Sequence, residues 1–213
     1  MEPTDPRPAA TVVVARPGPS GVEVLLLRRS AGSRFAPGYV VFPGGVADRA
    51  DERRAAAWFG DAAQRMRACA VRELAEEAGL ALTADGLRPT DGASIDDMVS
   101  SSPPAVDDLH EMARWLAPEV LPVRFDAWFY SVIAPAGTAA TPDMEEVDLA
   151  WWERPADALA RFQLWTALMW PTYRTLEALA VCSSVDEVAR LRVRQEPPPS
   201  SPLARAASPE YRG

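Results

Sequence analysis

The chain has 213 residues, of which 48% are hydrophobic and 24% charged, proportions that support one packed domain and exclude a collagen-like or wholly disordered chain. Its net charge is -8 and all 22 basic residues are arginine, which excludes a broad basic face for nucleic acid or acidic lipid. A polyanionic substrate would therefore have to be met by a metal ion or by a few placed arginines.

The start, MEPTDPRPAA, lacks the basic and apolar regions of a secretory signal, and no apolar run approaches the roughly 20 residues of a membrane span. A cytoplasmic protein with no nucleic-acid or membrane partner is expected. Residues 1–9 and 196–213 are rich in proline and small or charged residues and read as disordered tails around a single domain over 10–195. Thr11 to Ala15 and Val22 to Leu27 are apolar runs separated by Pro-Gly-Pro-Ser-Gly, which predicts a hairpin. Tyr39 to Phe42 predicts a third strand, stopped by a sharp turn at Pro43-Gly44-Gly45.

Asp61 to Ala78 holds no proline or glycine and repeats Met66, Cys69, Ala70, Leu74 and Ala78 at helical spacing, with Gly79 placed to cap a helix. Thr83 to Val106 reads as a loop-rich excursion, and Asp107 to Leu116 as a short amphipathic helix. Strands are expected over Arg124 to Ile133 and Val147 to Trp152, and helices over Pro155 to Phe162, Pro171 to Val181 and Val185 to Leu191. Strands and helices interleave without a regular strand-helix-strand rhythm. This predicts an α/β fold with a mixed sheet covered by helices. Only Cys69 and Cys182 are present, and His110 is the sole histidine, so a disulfide framework, a thiolate zinc site and a histidine-pair mechanism have no support. Cys69 on the apolar helix face reads as core, and Trp128, Trp151 and Trp152 as packing residues.

Chemistry concentrates in RELAEEAGL, Arg72 to Leu80. Glu73, Glu76 and Glu77 stand at i, i+3 and i+4, so a helix carries their carboxylates on one face. Like charges so close repel, and acids in a last helical turn oppose the dipole. A divalent cation would relieve both, and oxygen ligands suit magnesium or manganese. The plain alternative is a solvated face pairing with Arg65, Arg67 or Arg72.

The stretch FPGGVADRAD followed by RELAEEAGL resembles the Nudix box. Its second half is complete from Arg72 through Glu73, Leu74, Glu76, Glu77 and Gly79 to Leu80. In the first half, Gly45 is followed after five residues by Asp51, where the family usually has glutamate, and twenty residues instead of seven separate Asp51 from Arg72. The extra dozen or so, around Arg53 to Gln64, must loop out or lengthen the helix, which leaves an Asp51–Arg72 pairing open. A second stretch, Leu25 to Gly45, resembles the signature of coenzyme A diphosphatases within that family. Leu25, Leu26, Arg29, Ser30, Arg34, Gly38, Phe42, Pro43, Gly44 and Gly45 fit, and Leu27 departs from it.

These resemblances imply a Nudix-type α/β/α sandwich with a mixed central sheet flanked by helices. They imply metal-dependent hydrolysis of a pyrophosphate bond in a nucleoside-diphosphate-linked small molecule, coenzyme A or an acyl-coenzyme A before ADP-ribose, dinucleotides or nucleoside triphosphates. A non-catalytic ligand-binding module is the further alternative. Glu73, Glu76 and Glu77 are the implied ligands of Mg2+ or Mn2+, with the Gly44 carbonyl as a further candidate. Arg72 belongs to the same box. Glu145 or Glu146 are candidate bases by analogy with family members whose base lies outside it. Arg29 and Arg34 are candidate phosphate clamps, and Gly44 and Gly45 let backbone approach the site. Homodimers are frequent among similar proteins, and the sequence names no interface.

Overall fold

β1 (Arg7–Gly18) and β2 (Gly21–Arg29) pair antiparallel from Ala15 opposite Val24 to Gly18 opposite Gly21, the hairpin that the two apolar runs predict. The computed structural model describes residues 5–33, 35–119, 121 and 123–197. β1 begins at Arg7, so residues 7–9 belong to the sheet and not to the expected tail. At the other end, the Gln195 amide donates to Leu116 O and accepts from Leu116 N, and Glu196 O accepts from Trp170 Nε1. Residues 198–213 lie outside the described residues.

Beyond Ala15 and Val24 the hairpin opens into a notch, and the next two strands fill it. β3 (Val40–Val41) pairs with β2, and β4 (Gly44–Val46) pairs with β1 at Ala9 to Thr11. Phe42 and Pro43 carry the chain from one arm to the other, with Val12 N–H donating to Pro43 O at 2.8 Å. Instead of only ending a strand, as expected, Gly44 and Gly45 continue as strand on the opposite arm.

β8 (Phe125–Ile133) runs parallel to β1 along its length, β7 (His110–Leu116) lies antiparallel outside β8, and β9 (Val147–Glu153) lies antiparallel on the outer side of β2. The sheet is therefore mixed. Successive residues of its central strands point to opposite faces, and both faces are buried, which is why TVVVA and VEVLLL read as nearly continuous apolar runs. Val12, Val14, Leu25 and Leu27 pack on one face with α1 (Ala50–Phe59) and α2 (Arg65–Ala78). Val13, Val24 and Leu26 pack on the other with α4 (Pro155–Arg161), α5 (Trp170–Leu179) and α6 (Val185–Arg190). The result is the expected α/β/α sandwich. Among the described residues, no helix is long and apolar enough to cross a membrane.

Three expectations change. The helix expected over Asp61 to Ala78 is shorter and is preceded by a separate helix, α1, which ends at left-handed Gly60 (φ 71°). Asp61 then caps a 3-10 turn by accepting from Ala63 N–H, and α2 starts only at Arg65. The loop-rich excursion contains a hairpin, β5 (Leu80–Thr83) with β6 (Gly86–Pro89), and α3 (Ile95–Ser101), capped by Ser94. The helix expected over Asp107 to Leu116 is a 3-10 turn followed by strand β7. A bulge between Glu111 and Ala113 breaks the alternation of side chains there, leaving an apolar spacing that resembles a helix.

Candidate active site

The carboxylate helix α2 lies across the notch, with its last turns over β4. Gly79 closes it in the left-handed conformation (φ 62°), donating its N–H to Ala75 O at 3.0 Å. Of the three glutamates, Glu77 is the most enclosed, its side chain 4% exposed against 13% for Glu73 and 51% for Glu76. Gly44 N–H donates to Glu77 Oε2 at 2.8 Å. A Cβ on Gly45 would overlap the Glu73 carboxylate, so the two glycines bring β4 backbone directly against buried Glu77 and half-buried Glu73.

Arg72 organises the other side of the turn. Its guanidinium donates through Nε to Asp51 Oδ1 at 2.9 Å and through Nη2 to Asp51 Oδ2 at 3.0 Å. Nη1 stands 2.8 Å from Glu73 Oε1 and 2.7 Å from Glu76 Oε2. Asp51 is fully buried and reaches Arg72 because α1 starts beside it: Asp48 and Asp51 each accept the other's backbone N–H at 2.9 Å. The twenty residues between Asp51 and Arg72 thus leave the pairing intact.

The charges do not balance inside this cluster. Burial pushes the Glu73 carboxyl up to about 7 although Arg72 draws it down. Burial likewise pushes Glu77 up to about 8, against the pull of Gly44 N–H and Arg29. Arg72 itself, whose charge burial opposes, is held above the usual arginine range by Asp51 and Glu73. One guanidinium shared among three carboxylates leaves Glu73 undercompensated, which reconciles a firmly charged arginine with a raised acid beside it.

Arg29 joins this helix to the second acidic segment. Its Nη1 lies 3.7 Å from Glu77 Oε1, its Nη2 3.8 Å from Glu146 Oε2, and its Nε donates to Phe35 O at 2.9 Å. Arg29 is therefore braced between acids, with its side chain 15% exposed. The sequence offers the same residue as a clamp for substrate phosphates. Glu146 faces the site through Arg29, whereas no hydrogen bond or ion pair is described for the Glu145 carboxylate. Arg34 lies outside the described residues.

Among the described residues, no three His, Cys, Asp or Glu side chains already converge into a metal cage. Glu73 and Glu76 meet on Arg72, and Glu77 sits apart on Gly44. The donor set still fits a hard divalent cation: carboxylate oxygens, with Glu73 and Glu77 only partly compensated by Arg72 and Arg29, beside a bend kept open by glycine. Magnesium sites commonly use only one or two protein carboxylates, with water and substrate completing the shell. Asp51 as the fixed partner of Arg72, and Asp143, Ser30 and Ser33 around Glu146, were not singled out as site residues by sequence reasoning. Two of them had a signal there, Asp51 in its place after Gly45 and Ser30 in its fit to the second stretch.

Comparison with known proteins shows the family. The family model described as the NUDIX domain matches residues 5–175, and the chain belongs to the Nudix family. It is similar to nudix hydrolase 7 of Caenorhabditis elegans, 30% identical over 171 residues that cover 72% of this chain and 53% of that protein. It is also similar to acyl-coenzyme A diphosphatase NUDT19 of Homo sapiens, 27% identical over 255 residues, covering 85% of this chain and 67% of that one. The chain thus spans about half the length of the nematode relative. A crystal structure of a NUDIX hydrolase from Alicyclobacillus acidocaldarius matches with a TM-score of 0.72 and 30% identity, over 89% of this chain and 98% of that one. Members of the family generally use divalent ions such as Mg2+ or Mn2+.

Proposed function

We propose that this protein hydrolyses the pyrophosphate bond of coenzyme A or an acyl-coenzyme A with Mg2+ or Mn2+. The observation that carries the reading is the buried Glu77 carboxylate against Gly44 N–H, with Glu73 against Gly45. It joins the two stretches that resemble the Nudix box and the coenzyme A signature into one site. The similarity to a relative named as an acyl-coenzyme A diphosphatase supports the substrate class.

In this reading Glu73, Glu76 and Glu77 hold the cation, with the Gly44 carbonyl as a further ligand. Such an ion supplies neutralisation of phosphate charge and a water of lowered pKa. Arg72, fixed by Asp51, orients Glu73 and Glu76 from behind. Glu146 accepts the proton of the attacking water, with Glu145 as the second candidate, and its exposed carboxylate suits that exchange. Arg29 and Arg34 serve as the candidate clamps for the substrate phosphates, and guanidinium suits that work by its paired donors.

The test is side-by-side cleavage of coenzyme A, an acyl form, ADP-ribose and NADH by purified protein with magnesium or manganese. Coenzyme A or its acyl form is expected among the better substrates, and its absence from them overturns the substrate class. A double variant, Glu76→Gln with Glu77→Gln, should lose the metal-dependent activity. Equal activity in both proteins would remove the glutamates from catalysis.

A further inference from the structure

The end of β2 does more than present Arg29. Ser30 N–H donates to Glu146 O at 2.8 Å. Ser30 Oγ donates to Glu145 O at 2.8 Å, and Ser33 Oγ donates to Glu146 O at 3.0 Å. The two hydroxyls lie 3.3 Å apart, and Ser33 N–H donates to Ser30 O. From the other side, Asp143 Oδ1 accepts the N–H groups of Glu145, Glu146 and Val147 at 2.9, 3.1 and 2.9 Å. The sheet changes register at this point: Arg28 faces Leu149 but Arg29 faces Val147. Such a bulge turns the following side chain toward a new direction, and here it directs Arg29 to Glu77 and Glu146.

We propose that Ser30 and Ser33 are positioning residues: they latch the 143–147 segment onto the end of β2 so that Glu146 stays beside Arg29 and opposite Glu77. The proposal rests on Glu146 being the base, as argued above. The Glu146 side chain is 68% exposed, so packing does not place it, and its position depends on how its backbone is held. A base displaced by an ångström loses much of its effect, and two hydroxyls on neighbouring carbonyls remove the freedom that a surface loop otherwise has. Part of the stretch resembling a substrate signature then serves the base instead of the substrate.

The test compares full-length wild type with Ser30→Ala/Ser33→Ala, with Ser30→Thr/Ser33→Thr, and with each in a Glu146→Gln background. Hydrogen exchange of the peptide spanning residues 143–147 is measured first, because it needs no substrate. The alanine pair should exchange faster by about tenfold there, with the α2 peptide unchanged, and no acceleration overturns the latch whatever the enzyme hydrolyses. With coenzyme A and Mn2+, the alanine pair should lower kcat on the order of tenfold to a hundredfold. KM and the Mn2+ dissociation constant should stay nearly unchanged, and the threonine pair should recover most of kcat. In the Glu146→Gln background the serine changes should have almost no further effect, and an equal loss there overturns the positioning role. A faster-exchanging segment in a protein that cleaves none of the substrates would instead sink the proposed function and leave the latch standing.

Discussion

Asp51 and Arg72 lie on separate helices with twenty residues between them, yet they share two hydrogen bonds of 2.9 and 3.0 Å in the protein interior. The pairing is what holds the Arg72 fork in the plane that reaches Glu73 and Glu76. Asp51→Asn keeps the shape and removes the charge, leaving a buried guanidinium with its strongest partner neutral. Loss of one member of a buried pair costs about 3–5 kcal/mol, and a large loss of this kind is expected in urea unfolding, together with weakened Mn2+ binding. A midpoint within experimental error of wild type would show that the pair is not what fixes α1 against α2.

Gly44 and Gly45 are neighbours with different neighbours of their own. A Cβ on Gly44 would meet backbone, Ala10 O at 2.5 Å and Thr11 Cα at 2.8 Å, which have no room to move inside the sheet. A Cβ on Gly45 would have as its three nearest atoms those of the Glu73 carboxylate, the end of a side chain that can swing aside. Gly44→Ala should therefore destabilise the fold by about 1–3 kcal/mol, the usual range for overpacking. Gly45→Ala should leave the melting temperature nearly unchanged and weaken divalent-cation binding. Calorimetric titration with Mn2+ beside thermal unfolding separates the two, and a reversed pattern would contradict the placement of Glu73.

Most of the sandwich is readable in the sequence because its central strands are buried on both faces and its helix α2 carries an uninterrupted apolar stripe. What is not readable depends on contacts distant in sequence. The strand at His110 to Leu116 exists because β8 is there to pair with it, as Arg114 with Asp126 across the ladder shows. A bulge hides its alternation. The hairpin of β5 and β6 has no long apolar run: Leu80, Ala81, Leu82 and Leu87 are buried, but they are split over two four-residue strands. In the site, residue types and helical spacing locate Glu73, Glu76 and Glu77, but not their unequal fates. Burial of Glu77 and exposure of Glu76 follow from where β4 crosses, a property of the sheet. The bracing of Arg29 between two acids is likewise a tertiary fact that no local pattern encodes.

The outer edge of β7 is closed by Gln195, whose side-chain amide copies the two hydrogen bonds of a strand neighbour on Leu116, while Val193 N–H donates to Met112 O. An open edge is a template for pairing with another chain. Gln195→Ala should reduce stability by no more than about 1 kcal/mol, yet increase self-association on concentration. Light scattering that stays at the wild-type value would show that the edge is protected by other means.

The metal-free protein should weaken as pH rises through the neutral range. Glu73 and Glu77 have ordinary carboxyl values of 4.5, raised in the fold to about 7 and about 8 because burial disfavours their charge. Between 4.5 and those values the folded chain keeps protons that the unfolded chain releases, so unfolding becomes easier as pH increases, and the loss is complete above about 8. A divalent cation binds the ionised carboxylates and displaces those protons, so in millimolar magnesium the decline should flatten or reverse. Glu77→Gln removes one of the two protons and should make the decline shallower without metal, leaving the share of Glu73. Urea midpoints from acid to mildly alkaline pH, with chelator and with magnesium, measure all three. A chelated wild type whose stability is level across this window would mean that the two carboxyls are already ionised in the fold and that no charge is missing at the site.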